Sequence, residues 1–301
     1  MTKRAFVFSS SAGHSLSPAM HNAAFAALGL DARYEAVGLT EHELPKAVAG
    51  LRAADIYGAN VTIPHKVAVM PLMDELTLEA QAVGAVNTVI NRGGTLVGHN
   101  TDARGFARAL LEDAHYDAEG RDTVMLGAGG SGRAVGLALL RVGATLGVYN
   151  RTLHKAEALV RTLERYGDVG LISAPELDRA VLRASLVVNT TSVGHETYAA
   201  EASPLRAGVL PREMVVDIVY RPPETPLLRA AAAAGLETQN GLAMLVYQGA
   251  EAFTLWTGQD APVAAMFGAL RGRSSKLGSS SLSSSRRGRV ALHIISVRSL
   301  G

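Results

Sequence analysis

A run of glycines near the middle of the chain constrains the fold more than any other feature. The run Gly127-Ala-Gly-Gly-Ser-Gly132 follows the apolar segment Thr123–Leu126 and precedes the apolar segment Ala134–Leu140. Glycines at this spacing allow a tight turn in which backbone N–H groups approach a pyrophosphate at the N-terminus of a helix. Because strand, turn and helix occur in the required order, we predict a dinucleotide-binding βαβ unit rather than an ordinary turn.

Apolar segments typical of strands alternate with helical patterns on the C-terminal side of the loop. The predicted strands are Thr123–Leu126, Thr145–Tyr149, Val169–Ile172, Leu186–Asn189 and Val215–Val219. This alternation predicts a doubly wound parallel sheet. The first hundred residues have a mixed pattern that includes a hairpin at Asn91–Gly94. We therefore expect an α/β protein with a mixed α/β domain at 1–102, completed by 241–270, and a Rossmann-like parallel-sheet domain at 103–240.

The charge of the chain is unevenly distributed. The formal net charge is +2, but residues 271–301 contain seven basic and no acidic side chains, so residues 1–270 carry −5. The body has no basic stripe that would attract nucleic acid. The eight serines between Ser274 and Ser285 bury too little apolar surface to offset chain entropy. Residues 271–301 are therefore predicted to be disordered or not native to the protein.

Two further properties exclude classes of protein. The sequence contains no cysteine, which excludes disulfides and thiolate metal sites and is consistent with a reducing cytoplasm. No segment approaches the roughly 18 uninterrupted apolar residues of a membrane span. We expect a cytoplasmic protein that binds no metal, no membrane and no nucleic acid. The oligomeric state is open, with a homodimer as one alternative.

Two short runs upstream of the glycine loop each end in a titratable side chain. They are Asn60-Val-Thr-Ile-Pro-His-Lys66 and Gly98-His-Asn-Thr-Asp102. An ammonium and a carboxylate beside a nicotinamide-type site can move a proton while the cofactor moves a hydride. Asn60 and Asn87 lie at strand ends, where asparagine is rare. We interpret them as ligands of a hydroxylated compound, with turn capping as the alternative.

Hydroxyl and basic side chains mark two more candidate sites. Ser17 is predicted to cap a helix that starts at Pro18, and Ser15 adds a second hydroxyl suited to a carboxylate, although these residues alone favour a simple N-cap with a solvent-facing neighbour. The second strand of the dinucleotide unit ends in Asn150-Arg151-Thr152, with Lys155 one turn later. An NAD site would place an acidic residue there, whereas these cations match a 2′-phosphate, so NADP is predicted.

The same runs, in the same order, resemble those of the bacterial shikimate dehydrogenase family over residues 1–270. The matching runs lie at 15–18, 60–66, 84–88, 98–102, 127–130, 150–152, 189–194, 217–222 and 240–248. The resemblance implies reversible reduction of 3-dehydroshikimate to shikimate with NADPH, within chorismate and aromatic amino acid biosynthesis. It leaves two alternatives: a quinate/shikimate dehydrogenase of broad specificity, and a non-catalytic NADP-binding sensor.

The resemblance also implies roles for individual residues. Lys66 and Asp102 would be the catalytic pair. The substrate would be bound by Ser15, Ser17, Thr62, Asn87 and Gln248. The cofactor would be bound by Gly127, Gly129, Gly130, Asn150, Arg151, Thr152, Lys155, Thr190, Ser192, Tyr220, Gly241 and Met244. The chain departs from the family at Gly132, often alanine, and at His195, often methionine, which leaves contacts beside the nicotinamide undefined.

Overall fold

Two six-stranded sheets organise the protein. The structure is a computed structural model that describes residues 1–10, 13, 15–197 and 199–277. Alternate residues of a strand lie in different apolar clusters: Ala5 and Val7 pack with helical residues on one face of the first sheet, and Phe6 and Phe8 pack on the other. Both faces of each sheet are covered, and the predicted α/β class is confirmed.

The first sheet is mixed. Its strands are β1 (Lys3–Ser9), β2 (Ala32–Gly38), β3 (Ile56–Val61), β4 (Glu75–Leu76), β5 (Thr88–Arg92) and β6 (Thr95–His99). They lie in the order β2-β1-β3-β5-β6-β4, with β1 parallel to β2 and β3, and with β3, β5 and β6 antiparallel. The helices between them are α1 (Ser17–Ala27), α2 (Leu44–Gly50) and α3 (Leu78–Val83). The predicted hairpin is present, with Gly93 and Gly94 at positive φ in its turn.

The second sheet is parallel throughout. Its strands are β7 (Asp122–Leu126), β8 (Thr145–Tyr149), β9 (Val169–Leu171), β10 (Leu186–Asn189), β11 (Met214–Asp217) and β12 (Glu237–Asn240). The strands lie in the order β12-β11-β10-β7-β8-β9, so successive strands are added on one side of β7 and then on the other. This switch in the order of addition falls between β7 and β10, which is where ligands bind in doubly wound sheets. The helices are α5 (Gly130–Arg141), α6 (Leu153–Leu163), α7 (Leu177–Arg183) and α8 (Pro226–Ala233).

Three helices join the two sheets. They are α4 (Asp102–Arg108), which continues as a π-helical turn at Ala109–Asp113, α9 (Leu242–Thr257) and α10 (Val263–Leu277). Helix α9 contributes Tyr247 to the core of the second sheet and Phe253 to that of the first. The Nε2 of Gln239 donates to the carbonyl oxygen of Ala109 at 2.9 Å, which satisfies an acceptor in the irregular turn. The domain boundaries at 102, 103, 240 and 241 fit this arrangement and stay predictions.

Local details differ from the sequence predictions. Ser17 is the first residue of α1 rather than its N-cap, because Leu16 occupies the capping position without a side-chain bond. Strands β1 and β12 were not predicted. Helix α10 continues to Leu277, seven residues into the segment expected to be irregular, and residues 278–301 lie outside the described residues. For residues 278–301, a disordered or non-native tail therefore remains a prediction.

A buried carboxyl group fixes two loops at the carboxyl end of the second sheet. Asp217 is fully buried and accepts hydrogen bonds from the Val219 N–H, the Thr225 hydroxyl and the Asn189 amide at 2.8–3.0 Å. Burial raises the pKa of Asp217 to about 6, although the three hydrogen bonds oppose that shift. The stability contributed by the protonated carboxyl is therefore complete below the unfolded pKa and is lost as pH rises through about 6.

This titration predicts a pH-dependent difference between the protein and its Asp217→Asn variant. The asparagine amide does not ionise and can donate to Thr225. Because all other titrating groups are the same in the two proteins, their contributions cancel in the comparison. Between about pH 4.5 and pH 7.5 the wild-type free energy of unfolding should fall relative to the variant, by on the order of 2–3 kcal/mol. Denaturant unfolding of both proteins at several pH values measures the difference. A pH-independent difference would show that Asp217 does not titrate in this range.

Candidate active site

Lys66 and Asp102 form a nearly buried ion pair. Lys66 lies in the turn that follows β3, and Asp102 is the first residue of α4, directly after β6. The Lys66 Nζ lies 2.6 Å from the Asp102 Oδ2, and the two side chains are 10% and 6% exposed. The structure therefore brings together two residues that are 36 positions apart in the sequence. A proton donor with its counter-ion is held in one place.

The second oxygen of Asp102 is also occupied. The Nδ2 of Asn87 donates to Asp102 Oδ1 at 2.8 Å and to Thr101 Oγ1 at 2.9 Å, and it lies 3.3 Å from Gln248 Oε1. The Nε2 of Gln248 donates to the carbonyl oxygen of Leu245 at 2.8 Å. Two predicted residues, Asn87 directly before β5 and Gln248 in α9, thus lie in the hydrogen-bond network beside the ion pair. Thr101, which was not assigned a role, belongs to the same group.

The predicted carboxylate site lies at the start of α1. The Oγ of Ser15 accepts from the Ser17 N–H at 3.2 Å, and Ser17 itself is 6% exposed. Thr62 is half-buried in the turn that carries Lys66, where its carbonyl oxygen accepts from the His65 N–H at 2.9 Å. The two serines lie at the N-terminus of α1, where the helix dipole favours a negatively charged group.

Asn60 has a different role from the one expected. Its Oδ1 accepts from the Tyr34 hydroxyl at 2.7 Å, and its Nδ2 donates to Thr88 and to the Asn87 carbonyl. The side chain is 6% exposed and bonded within the protein. We therefore do not assign Asn60 to a ligand.

Histidines near the site have structural roles. His65 and His99 bond to the Leu39 carbonyl and to the Thr77 hydroxyl. His21 stacks on Tyr34 at 4.3 Å, and burial lowers its pKa to about 3, so it is neutral.

The glycine loop has the conformation that a dinucleotide requires. Gly127 has a φ of +113°, and a Cβ there would lie 2.6 Å from Thr190 Oγ1. Gly129 occupies the N-cap position of α5, and a Cβ there would meet nothing within 4 Å. Open space at a helix N-terminus with free N–H groups suits a pyrophosphate. These residues fit the predicted cofactor.

The glycine loop lies beside Lys66. A methyl group on Gly130 would lie 3.5 Å from Lys66 Cδ and 3.7 Å from its Cβ, so the aliphatic stem of Lys66 runs beside the first turn of α5. The ion pair belongs to the first sheet and the loop to the second. The site is therefore formed where the two sheets meet.

Two cations are available at the end of β8. Arg151 and Lys155 are exposed, and neither has an ion-pair partner among the described residues. Asn150 is used differently from the expectation, because its Oδ1 accepts from the Ala128 N–H at 3.2 Å and its Nδ2 donates to the Thr152 carbonyl at 2.8 Å. Asn150 thus ties the glycine loop to β8, and the two cations are free to meet a phosphate.

The remaining predicted residues follow the carboxyl ends of β10, β11 and β12, the same edge of the sheet as the glycine loop. Thr190 Oγ1 donates to the Leu126 carbonyl at 2.9 Å, and Ser192 is exposed. A Cβ on Gly241 would lie 1.9 Å from the Ile218 carbonyl oxygen, so the chain approaches too closely for any side chain. Met244 is buried, and Tyr220 is partly buried against the apolar core of the first sheet. The Nδ1 of His195 accepts from the Thr197 N–H at 3.1 Å.

Two absences apply to the described residues alone. They contain no group of three or more histidine, aspartate or glutamate side chains placed to hold a metal ion. None of the helices within 1–277 that the structure describes is long and apolar enough to cross a membrane.

The fold and the site define a two-sheet α/β oxidoreductase with a dinucleotide loop beside a lysine–aspartate pair. The family model of the shikimate dehydrogenase substrate binding domain matches residues 7–89, and that of the shikimate 5'-dehydrogenase C-terminal domain matches residues 241–271. The shikimate dehydrogenase (NADP(+)) of Symbiobacterium thermophilum is 49% identical over 261 residues, which cover 84% of this chain and 88% of that protein.

Solved structures agree. The shikimate 5-dehydrogenase of Thermus thermophilus, in complex with NADP(H) and shikimate, has a TM-score of 0.81 and 41% identity over 90% of this chain and 99% of its own. Quinate dehydrogenase from Corynebacterium glutamicum, in complex with NAD, has a TM-score of 0.80 and 32% identity over 90% and 99%. The chain belongs to the shikimate dehydrogenase family, which confirms the resemblance recognised in the sequence.

The packing of the loop predicts the effect of restoring alanine at Gly132. A Cβ there would lie 2.7 Å from the Gly127 carbonyl oxygen and 3.0 Å from Thr190 Oγ1. Overpacking costs about 1–3 kcal/mol, which exceeds the gain of up to about 1 kcal/mol from alanine in a helix. Gly132→Ala should lower the melting temperature by a few degrees. Gly129→Ala is the matched control, and an unchanged or raised melting temperature for Gly132→Ala would show that the loop adjusts freely.

Proposed function

We propose that the protein is an NADP-dependent shikimate dehydrogenase that interconverts shikimate and 3-dehydroshikimate. The observation that carries the proposal is the Lys66–Asp102 ion pair at 2.6 Å, with the stem of Lys66 against Gly130 of the dinucleotide loop. A proton-transfer group and a hydride-transfer cofactor would thus meet at one place. Family membership and relatives named as NADP(+) enzymes support the same reaction.

Lys66 moves the proton. In the direction of oxidation, its Nζ accepts the proton of the substrate hydroxyl as hydride leaves the same carbon; in reduction, its ammonium returns that proton to the nascent alkoxide. Bound NADP supplies hydride acceptance and donation. Asp102 accepts a hydrogen bond from Lys66 through Oδ2, which holds Nζ in one orientation.

The other site residues position the substrate. Ser15 and Ser17 at the start of α1 suit the carboxylate, since two hydroxyls lie there at the positive end of the helix dipole. Thr62, Asn87 and Gln248 are assigned to the ring hydroxyls. The positions of Asn87 and Gln248 support this assignment. Asn87 donates a hydrogen bond to Asp102, and Gln248 Oε1 lies within hydrogen-bonding distance of Asn87.

The cofactor assignment rests on the loop and on the cations beside it. Gly127, Gly129 and Gly130 would surround the pyrophosphate, and Arg151 and Lys155, with Thr152, would bind the 2′-phosphate. Asn150 would act by fixing the loop rather than by touching the phosphate. Thr190, Ser192, Tyr220, Gly241 and Met244 are assigned to the nicotinamide side.

The alternatives are weaker. For a quinate/shikimate dehydrogenase of broad specificity, the structural likeness to a quinate dehydrogenase in complex with NAD is the supporting observation. The absence of an acidic residue at 150–152 favours NADP over NAD. A non-catalytic sensor would not need an intact ion pair whose carboxylate is held by Asn87. A homodimer and a cytoplasmic location remain predictions, as does a place in aromatic amino acid biosynthesis.

A two-by-two assay tests the proposal. Shikimate and quinate are each supplied with NADP and with NAD, and formation of reduced cofactor is followed by absorbance. We expect turnover with shikimate and NADP to exceed the other three combinations. Faster turnover with quinate and NAD would support the broad-specificity alternative, and no turnover in any combination would support a sensor.

The proposed contact of Arg151 with the 2′-phosphate predicts how its removal changes the preference for NADP over NAD. Arg151→Ala removes a charge-assisted hydrogen bond that only the 2′-phosphate receives, worth about 1.5–3 kcal/mol. The Michaelis constant for NADP should rise by about 10- to 100-fold, while that for NAD stays nearly unchanged. Arg161→Ala, which removes an exposed arginine from the last turn of α6, is the control. Equal losses with both cofactors would show that Arg151 is structural.

A further inference from the structure

A chain of buried hydrogen bonds runs behind the catalytic pair. Tyr34 donates to Asn60 Oδ1 at 2.7 Å, and Asn60 Nδ2 donates to Thr88 Oγ1 at 3.1 Å. Thr88 then donates to Asn87 Oδ1 at 2.9 Å, and Asn87 Nδ2 donates to Asp102 Oδ1 at 2.8 Å. None of these side chains belongs to a residue more than 6% exposed. This row of hydrogen bonds ends at the Asp102 carboxylate, which accepts from Lys66.

The pairing of β3 with β5 in the first sheet places these hydrogen-bonding side chains next to one another. Asn60 on β3 and Thr88 on β5 are register partners, so their side chains lie side by side on one face. Burial raises the pKa of the Tyr34 hydroxyl well above its usual range, which keeps that group a donor. Since Thr88 accepts from Asn60, its single hydroxyl proton is available to Asn87. The hydroxyl also lies 3.4 Å from Thr101 Oγ1, and its bond to Asn87 Oδ1, at 2.9 Å, is the shorter of the two.

The direction of the bond from Thr88 bears on how Asn87 presents its carboxamide. The Oδ1 of Asn87 receives the Thr88 hydroxyl and the Thr101 N–H at 2.8 Å, so its Nδ2 faces Asp102. A reversed amide would place an oxygen 2.8 Å from a carboxylate oxygen, where no hydrogen could separate them. With the amide as observed, Asp102 Oδ1 is satisfied and Oδ2 remains for Lys66.

We propose that Thr88 is a positioning residue of the dehydrogenase reaction, because its hydroxyl, together with the Thr101 N–H, holds the orientation of Asn87 and thereby directs Asp102 toward Lys66. Thr88 is fully buried and would touch neither substrate nor cofactor. The inference rests on the proposed function, because it concerns the rate of proton transfer at Lys66.

Substitutions at Thr88 separate the hydroxyl from the shape of the side chain. Thr88→Val keeps the shape and removes the donor, and Thr88→Ser keeps the donor. We expect the turnover number for shikimate oxidation with NADP to fall about tenfold in Thr88→Val and to recover to within about threefold of wild type in Thr88→Ser. The Michaelis constant for NADP should not change. Thr88→Ala removes the same hydroxyl and replaces Thr88→Val if the latter does not fold.

Two comparisons exclude a general loss of stability. Thr123→Val removes a hydroxyl from a buried strand threonine of the second sheet and should leave turnover unchanged. In an Asp102→Asn background, Thr88→Val should reduce turnover no further, because Thr88 acts through Asp102.

The outcomes distinguish the inference from the function on which it rests. A Thr88→Val enzyme within about twofold of wild type, a Thr88→Ser enzyme as slow as Thr88→Val, or an undiminished effect in the Asp102→Asn background would each overturn the role of Thr88. Wild-type protein that does not oxidise shikimate would instead overturn the proposed function, and this inference with it.

Discussion

The ion pair between Lys66 and Asp102 is the interaction on which the site depends. Both side chains are nearly buried, so each charge has lost most of its hydration. Such a pair is tolerated only when its geometry is good and the remaining donors and acceptors are satisfied. The bond from Asn87 to the second carboxylate oxygen meets that condition. Removing either partner would leave an uncompensated charge, which is why we expect the two residues to behave as a unit.

The pair also explains why two sheets are needed. Lys66 and Asp102 both follow strands of the first sheet, but the stem of Lys66 contacts Gly130 of the second. The Arg141 guanidinium, 2.7 Å from both carboxylate oxygens of Glu79, connects α5 to α3 across the same junction. Helix α9 packs into both cores. The position of Lys66 therefore depends on how the two sheets are placed relative to each other. A bound cofactor and a bound substrate would depend on the same placement.

Much of this architecture could be predicted from the sequence, and the failures have physical causes. The glycine loop and β10 were recognisable because strong local patterns specify them. Strand β12, Glu237–Asn240, is polar and lies at a sheet edge, so it has no apolar pattern. Strand β1 is a short continuous apolar run, which periodicity does not distinguish from a helix. The internal role of Asn150 and the row through Thr88 depend on cross-strand register, which no local pattern encodes.

If Lys66 and Asp102 serve one proton-transfer step, the effects of replacing them should not multiply, and a double-mutant cycle measures this. Turnover and equilibrium binding of shikimate are measured for Lys66→Ala, Asp102→Asn and the double variant. We expect Lys66→Ala to lower the turnover number by about 10²–10⁴-fold with much smaller changes in binding, and the double variant to be no slower than the slower single variant. Multiplied effects in the double variant, or near-normal turnover with poor binding in Lys66→Ala, would contradict the account.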